Sequence, residues 1–138
     1  MRPRIYRRLV YAGLAIGTIA LGLIVHFHGD ALGPASRDVI GDALWAAMIA
    51  WWIGALVPDR SLGARGVVAL AVCFAVEFSQ LYHTVALDTL RDGTIGHLIL
   101  GSGFDPRDLV AYTIGVLAAV ACERMARGSR VDTSKVRS

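Results

Sequence analysis

Residues 9–27 read LVYAGLAIGTIALGLIVHF, an unbroken apolar run that follows the basic opening Arg2, Arg4, Arg7 and Arg8. At a rise of ~1.5 Å per residue, a helix of that length covers a hydrocarbon core of ~30 Å. The run exceeds the ~7–15 residues usual for the apolar part of a cleaved leader, so an uncleaved first helix is expected in spite of the small residues Gly33 and Ala35 that follow.

The same reading extends along the chain. Residues 67–74 and 109–122 are free of Asp, Glu, Lys and Arg. Of the 138 residues, 55% are hydrophobic, and the mean hydropathy is +0.54, more apolar mass than a soluble domain of this size carries. A second helix is expected over 39–57, closed by Pro58-Asp59-Arg60 and decorated by Trp45, Trp51 and Trp52. A third spans 66–82 and carries Glu77 and Gln80; a fourth spans 108–122. Between the last two, residues 83–107 include TIGHLILGSGF (94–104), too short and too rich in Gly to cross. An interfacial helix, a re-entrant dip and a loop all fit that segment. The expected fold is all-α: a polytopic membrane protein with a four-helix transmembrane bundle in one domain, residues 1–126, and a disordered tail over 127–138.

Charge gives the bundle a polarity. Eleven of the fourteen Lys and Arg residues fall in the N-terminal segment, the turn between the second and third helices and the C-terminal tail. Cytoplasmic loops carry such an excess, so both termini are expected on the cytoplasmic side. The basic residues form no patch among aromatics, which argues against nucleic acid as a partner. Cys73 and Cys122 lie inside apolar runs without metal-ligand spacing and read as packing residues.

With that orientation, the polar residues within the helices collect at the outer side. Asp38, Asp42 and Trp45 share a helix face by i, i+4, i+7 spacing; Glu77 and Gln80 share one by i, i+3; Asp108, Tyr112 and Gly115 again by i, i+4, i+7. Glu77 is the most costly, since an ionised side chain near the bilayer centre costs about 2.5–3.5 kcal/mol. Arg91 is its expected counter-charge, because the loop carrying it starts at the end of Glu77's own helix. Asp42, Trp45, Glu77, Gln80, Arg91, Asp108 and Tyr112 therefore form a candidate outer pocket. Gly13 and Gly17 make a small-xxx-small pair in the first helix, and with Gly115 are expected to admit close helix neighbours. The histidines His26, His28, His83 and His97 gather at the same end without an HxxxH or HExxH pattern, so neither a metal nor a cofactor is expected. No nucleophile elbow or phosphate loop surrounds Ser79 or Ser102.

The order V-E77-F-S-Q80-L, R91, then D108-L-V-A-Y112-T-I-G115 resembles the carboxyl-terminal half of VanZ-like membrane proteins. There a Glu-x-x-Gln helix, an Arg and an Asp-x-x-x-Asn-x-x-Gly helix follow one another. Tyr112 stands where those proteins place Asn. With G41-D42-A-L-W45-A-A-M48, the chain is more similar to a small bacterial family of unknown function, the DUF2809 type. The resemblance covers most of 42–115 and implies the bacterial cytoplasmic (inner) membrane, but no chemistry.

Three functional classes follow. One is a binding protein whose outer pocket holds a lipid head group or amphiphile, with Arg91 meeting a phosphate or carboxylate and Glu77 holding Arg91. Another is an enzyme on a cell-envelope lipid, with Glu77 or Asp108 as general acid or base, disfavoured because no nucleophile or metal motif supports it. The last is a structural subunit, in a homo-oligomer or with another membrane protein.

Overall fold

The computed structural model describes residues 4–101 and 103–135. Among them the regular structure is entirely helical, and four helices are long and apolar enough to cross a membrane. Helix α1 is Arg4–His28, α2 Pro34–Leu56, α3 Leu62–Ser79, α4 Val85–Asp92, α5 Thr94–Leu100 and α6 Pro106–Lys135.

Local chemistry explains the breaks. A single 3-10 turn, Gly29–Leu32, closes α1; Gly33 then takes φ +77°, a left-handed conformation that glycine adopts without steric cost. Pro34 opens α2, where its fixed φ suits a first helical turn and its missing N–H costs nothing. The Ser61 hydroxyl accepts from Ala64 N at 3.2 Å to cap α3, and the Thr84 hydroxyl accepts from Leu87 N at 3.3 Å to cap α4. Between α4 and α5, a Cβ on Gly96 would sit 1.6 Å from the Leu90 carbonyl oxygen, so only glycine permits the tight hairpin of these two helices.

Helix α2 is the axis of the bundle, packing against α1, α3 and α6. One buried cluster joins Ala46 and Ile53 of α2, Ala69 and Cys73 of α3, and Tyr112 and Val116 of α6. Another joins Tyr11 and Ala15 of α1 to Trp51 and Ala119. Large apolar side chains such as Leu9, Ile24, Val67, Val110 and Leu117 instead point outward, the arrangement expected where hydrocarbon replaces water as solvent. Gly115 marks the closest approach of α2 and α6: a Cβ there would lie 2.0 Å from the Ala43 carbonyl oxygen. Gly13 and Gly17 do not repeat this role. A Cβ at either would meet nothing within 4 Å, so their stripe faces away from the rest of the chain.

The helices differ from the expected spans at their ends. Helix α3 starts at Leu62 and stops at Ser79 rather than covering 66–82, so Glu77 lies in its last turn, nearer the bundle's end than its middle. Helix α6 starts at Pro106 and continues to Lys135, well past the expected stop at 122 and through most of the segment expected as a disordered tail. Charges after Cys122 end the apolar character but not the helix; Glu123 and Arg127 pair at i, i+4 and support it. Residues 136–138 lie outside the described residues.

Candidate functional site at the α4–α5 end of the bundle

The even number of crossings brings both termini to one end. The other end collects the 3-10 turn, the start of α2, the end of α3, the α4–α5 hairpin and the start of α6. At this second end Glu77 is completely buried. Its carboxylate receives three donors: the Tyr112 hydroxyl at 2.9 Å and Gln80 Nε2 at 3.3 Å on Oε2, and the Asp105 backbone N–H at 2.7 Å on Oε1. Hydrogen bonds from three directions are the satisfaction a buried carboxylate requires.

The expected Glu77–Arg91 ion pair is not part of this arrangement. Arg91, itself buried, donates from Nη2 to the Ser79 carbonyl and from Nη1 to the Tyr82 carbonyl, each at 2.8 Å, and reaches Asp88 Oδ1 at 3.3 Å. These carbonyls lie at and beyond the C-terminus of α3, where the helix leaves acceptors unfilled and its dipole favours a cation. Sequence proximity to Glu77 was a sound cue that Arg91 returns to α3. It returns to the backbone and not to the carboxylate.

Above Glu77 lies a cavity of about 800 Å³ between α1, α2, α5 and the start of α6. Asp42, Trp45, Gln80, Asp108 and Tyr112 line it, whereas Glu77 does not line it but holds the lining side chains Gln80 and Tyr112, and Arg91 lines a neighbouring cleft with His83 and Asp88. The Trp45 and Tyr112 rings meet at 5.4 Å between centroids, and the Asp42 and Asp108 carboxyl groups are near enough for each to feel the other's charge. Gln80 is only 4% exposed. Its Nε2 faces the Glu77 carboxylate, which fixes the amide orientation and leaves Oε1 without a partner among the described residues. Gly101, at φ +67°, presses against this amide: a Cβ there would stand 2.5 Å from Gln80 Nε2. The stacked rings of Phe78 and Phe104, 5.9 Å apart, hold the segment before α6 against α3.

The cavity is graded in polarity along its depth. Asp38, Asp42, Asp105 and Asp108 line the end beside the helix termini, while Ile19, Met48, Ile49 and Trp52 line the part within the bundle. From Asp38 to Trp52 the wall of α2 extends about 21 Å at the standard helical rise. Among the described residues, no group of three or more His, Cys, Asp or Glu side chains converges on a metal position.

A second polar cluster, at the terminal end, had no counterpart in the sequence reading. Arg65 is 3% exposed, donates to Glu123 Oε1 at 2.5 Å, and lies over the Tyr11 ring with its guanidinium carbon 4.9 Å from the centroid. The Tyr11 hydroxyl donates to the same oxygen, as does Arg127, each at 2.5 Å. Gly54 makes room: a Cβ there would fall 2.8 Å from Arg65 Nη1. The available signal was an arginine directly before the apolar third span, opposite in sign to Glu123 just after the fourth.

The family described as "Protein of unknown function (DUF2809)" matches residues 32–116. The chain belongs to the DUF2809 family. The span shared with DUF2809 runs from the end of the turn after α1 to the middle of α6 and contains Asp42, Trp45, Glu77, Gln80, Arg91, Asp108 and Tyr112. Tyr11, Glu123 and Arg127, which build the terminal-end cluster, lie outside the part matched by DUF2809. No solved structure matches the chain.

Proposed function

We propose that this integral membrane protein binds an amphiphile, such as a lipid with its head group, in the cavity at the α4–α5 end. The observation that carries the reading is the cavity's gradient, carboxylates and an amide at the bundle's end and aliphatic and indole side chains deeper in. An amphiphile presents the same gradient, and a volume of about 800 Å³ is in the ~300–1,000 Å³ range of ligand sites. The basic residues support the orientation. Arg4, Arg7, Arg8, Arg60 and Arg65 cluster at the terminal end, which the positive-inside tendency assigns to the cytoplasm, so the cavity faces the outer leaflet of the cytoplasmic membrane. Arg91 does not serve as the head-group anchor in this reading, since the α3 carbonyls occupy its guanidinium.

Catalysis on a lipid gains no comparable support. The Ser79 hydroxyl donates to the Val76 carbonyl at 2.5 Å, and Ser102 lies outside the described residues.

The test fills the cavity without disturbing its walls. Gly41 lines it, and a Cβ there would meet nothing within 4 Å. Gly41→Leu should purify with the same thermal stability as the parent and without its co-purifying lipid, measured by native mass spectrometry from nanodiscs. A folded Gly41→Leu variant with unchanged lipid content would sink the proposal.

A further inference from the structure

The lining chemistry at the polar end narrows the ligand class, an inference that rests on the cavity reading above. The charged groups facing the space between α2 and α6 there are carboxylates, and Trp45 Nε1 is a buried donor beside them without an acceptor among the described residues. Asp42 and Asp108 face each other across the space between α2 and α6, and Asp38 and Asp105 border the same end. Two neighbouring carboxylates repel unless a proton or a cation is held between them. Gln80 adds an independent observation. Its amide is pinned by Glu77 and Gly101, and the side chain, 4% exposed, borders the cavity with an Oε1 that has no donor among the described residues. A buried acceptor without a donor costs about 1–3 kcal/mol, so its retention points to a donor arriving from outside.

The cationic side chains do not offset this balance. Arg37, at the rim, pairs with Asp30 at 3.1 Å. Arg91 is held by the α3 carbonyls. His26 and His97 sit on the α1 and α5 walls. An anionic head such as a phosphate would meet carboxylates in this end. A bare divalent ion would need converging ligands, which the described residues do not provide. A primary ammonium differs from both: it carries a single positive charge and brings three N–H donors to match separated acceptors. The Trp45 ring, tilted at 46° to Tyr112, adds an aromatic face suited to a cation.

We infer that the cavity selects an amphiphile with an ammonium head, its cationic group seated at Asp42 and Asp108 and its donors reaching Gln80 Oε1. The apolar chain then follows Met48, Ile49 and Trp52 toward the middle of the bilayer.

The experiment measures uptake of dodecylammonium, dodecyl phosphate and dodecanol by the full chain in nanodiscs, counting only binding that Gly41→Leu abolishes. Dodecylammonium should bind at least about tenfold more tightly than the other two, the discrimination of a single charge-assisted contact. The Asp42→Asn, Asp108→Asn double variant removes no packing volume and should erase that preference while still taking up dodecanol. Equal uptake of the three probes by the parent, or a preference that survives the double variant, overturns the ammonium assignment and leaves the cavity reading standing. Absence of Gly41-sensitive uptake of every probe overturns both.

Discussion

Tyr112 of α6 donates its hydroxyl to Glu77 of α3 at 2.9 Å, a contact wholly inside the bundle between the helix that carries the most buried carboxylate and the helix that closes it. The pair replaces the counter-ion that a buried charge would otherwise need. Tyr112→Phe keeps the ring contact with Trp45 and removes one donor, so it should destabilise the protein by about 1–3 kcal/mol in thermal unfolding. Glu77→Leu strands three donors at once and should cost more. A double-mutant cycle between the two sites should return a coupling energy of about 0.5–3 kcal/mol; a coupling of zero would show that the hydroxyl and carboxylate act independently.

Arg91→Ala separates helix capping from ligand binding. It removes the donors of the Ser79 and Tyr82 carbonyls, so amide hydrogen exchange should accelerate at the end of α3 and across α4. Gly41-sensitive lipid content should remain. Arg91→Lys should rescue little, because one ammonium group on a flexible stem does not reproduce two diverging guanidinium donors.

Gly115 and Gly13 make opposite predictions for the same substitution. Gly115→Ala drives a methyl into the Ala43 carbonyl and should cost upwards of about 1–3 kcal/mol by forcing α2 and α6 apart. Gly13→Ala meets no neighbour and should stabilise the chain by up to about 1 kcal/mol through helix propensity alone. Unfolding of both variants in the same nanodisc decides the comparison.

The terminal-end cluster should rank its members by burial. Glu123→Ala leaves the Arg65 guanidinium buried without its carboxylate and should cost about 3–5 kcal/mol. Arg127, 52% exposed, should contribute only about 0–1 kcal/mol when replaced by Ala. Equal effects of the two substitutions in thermal unfolding would contradict this hierarchy.

Much of the architecture was legible because the bilayer imposes length. Residues 9–27 and 39–57 could be assigned from apolar run alone, and the Pro58 turn and the Gly33-Pro34 junction mark their ends. The helix ends were less legible, because α6 stays helical through Glu123 and Arg127, where hydropathy fails but i, i+4 pairing continues. At the candidate site, Asp42, Trp45, Gln80, Asp108 and Tyr112 line one cavity, an arrangement their helical spacing allows because each stripe can face inward. The partner of Glu77 could not be read the same way. Charge complementarity points to Arg91, but the fold satisfies the carboxylate with neutral donors, one of them the backbone N–H of Asp105, which no side-chain pattern reveals. Arg65 and Glu123 escape the sequence for a related reason: each resembles a charge at a span end until the fold brings the Arg65 guanidinium, with Tyr11 and Arg127, to one oxygen of the Glu123 carboxylate.

The α4–α5 hairpin makes its main contacts within itself. It is tied to the bundle at one side by Arg91 on the α3 carbonyls and at the other by the Asp105 amide on Glu77. The roof of the cavity is therefore clasped by hydrogen bonds at its two margins, with the Phe78–Phe104 stack beside the second. All of these ties end on α3 or on Tyr82 just beyond it, so the roof is moored to that one helix.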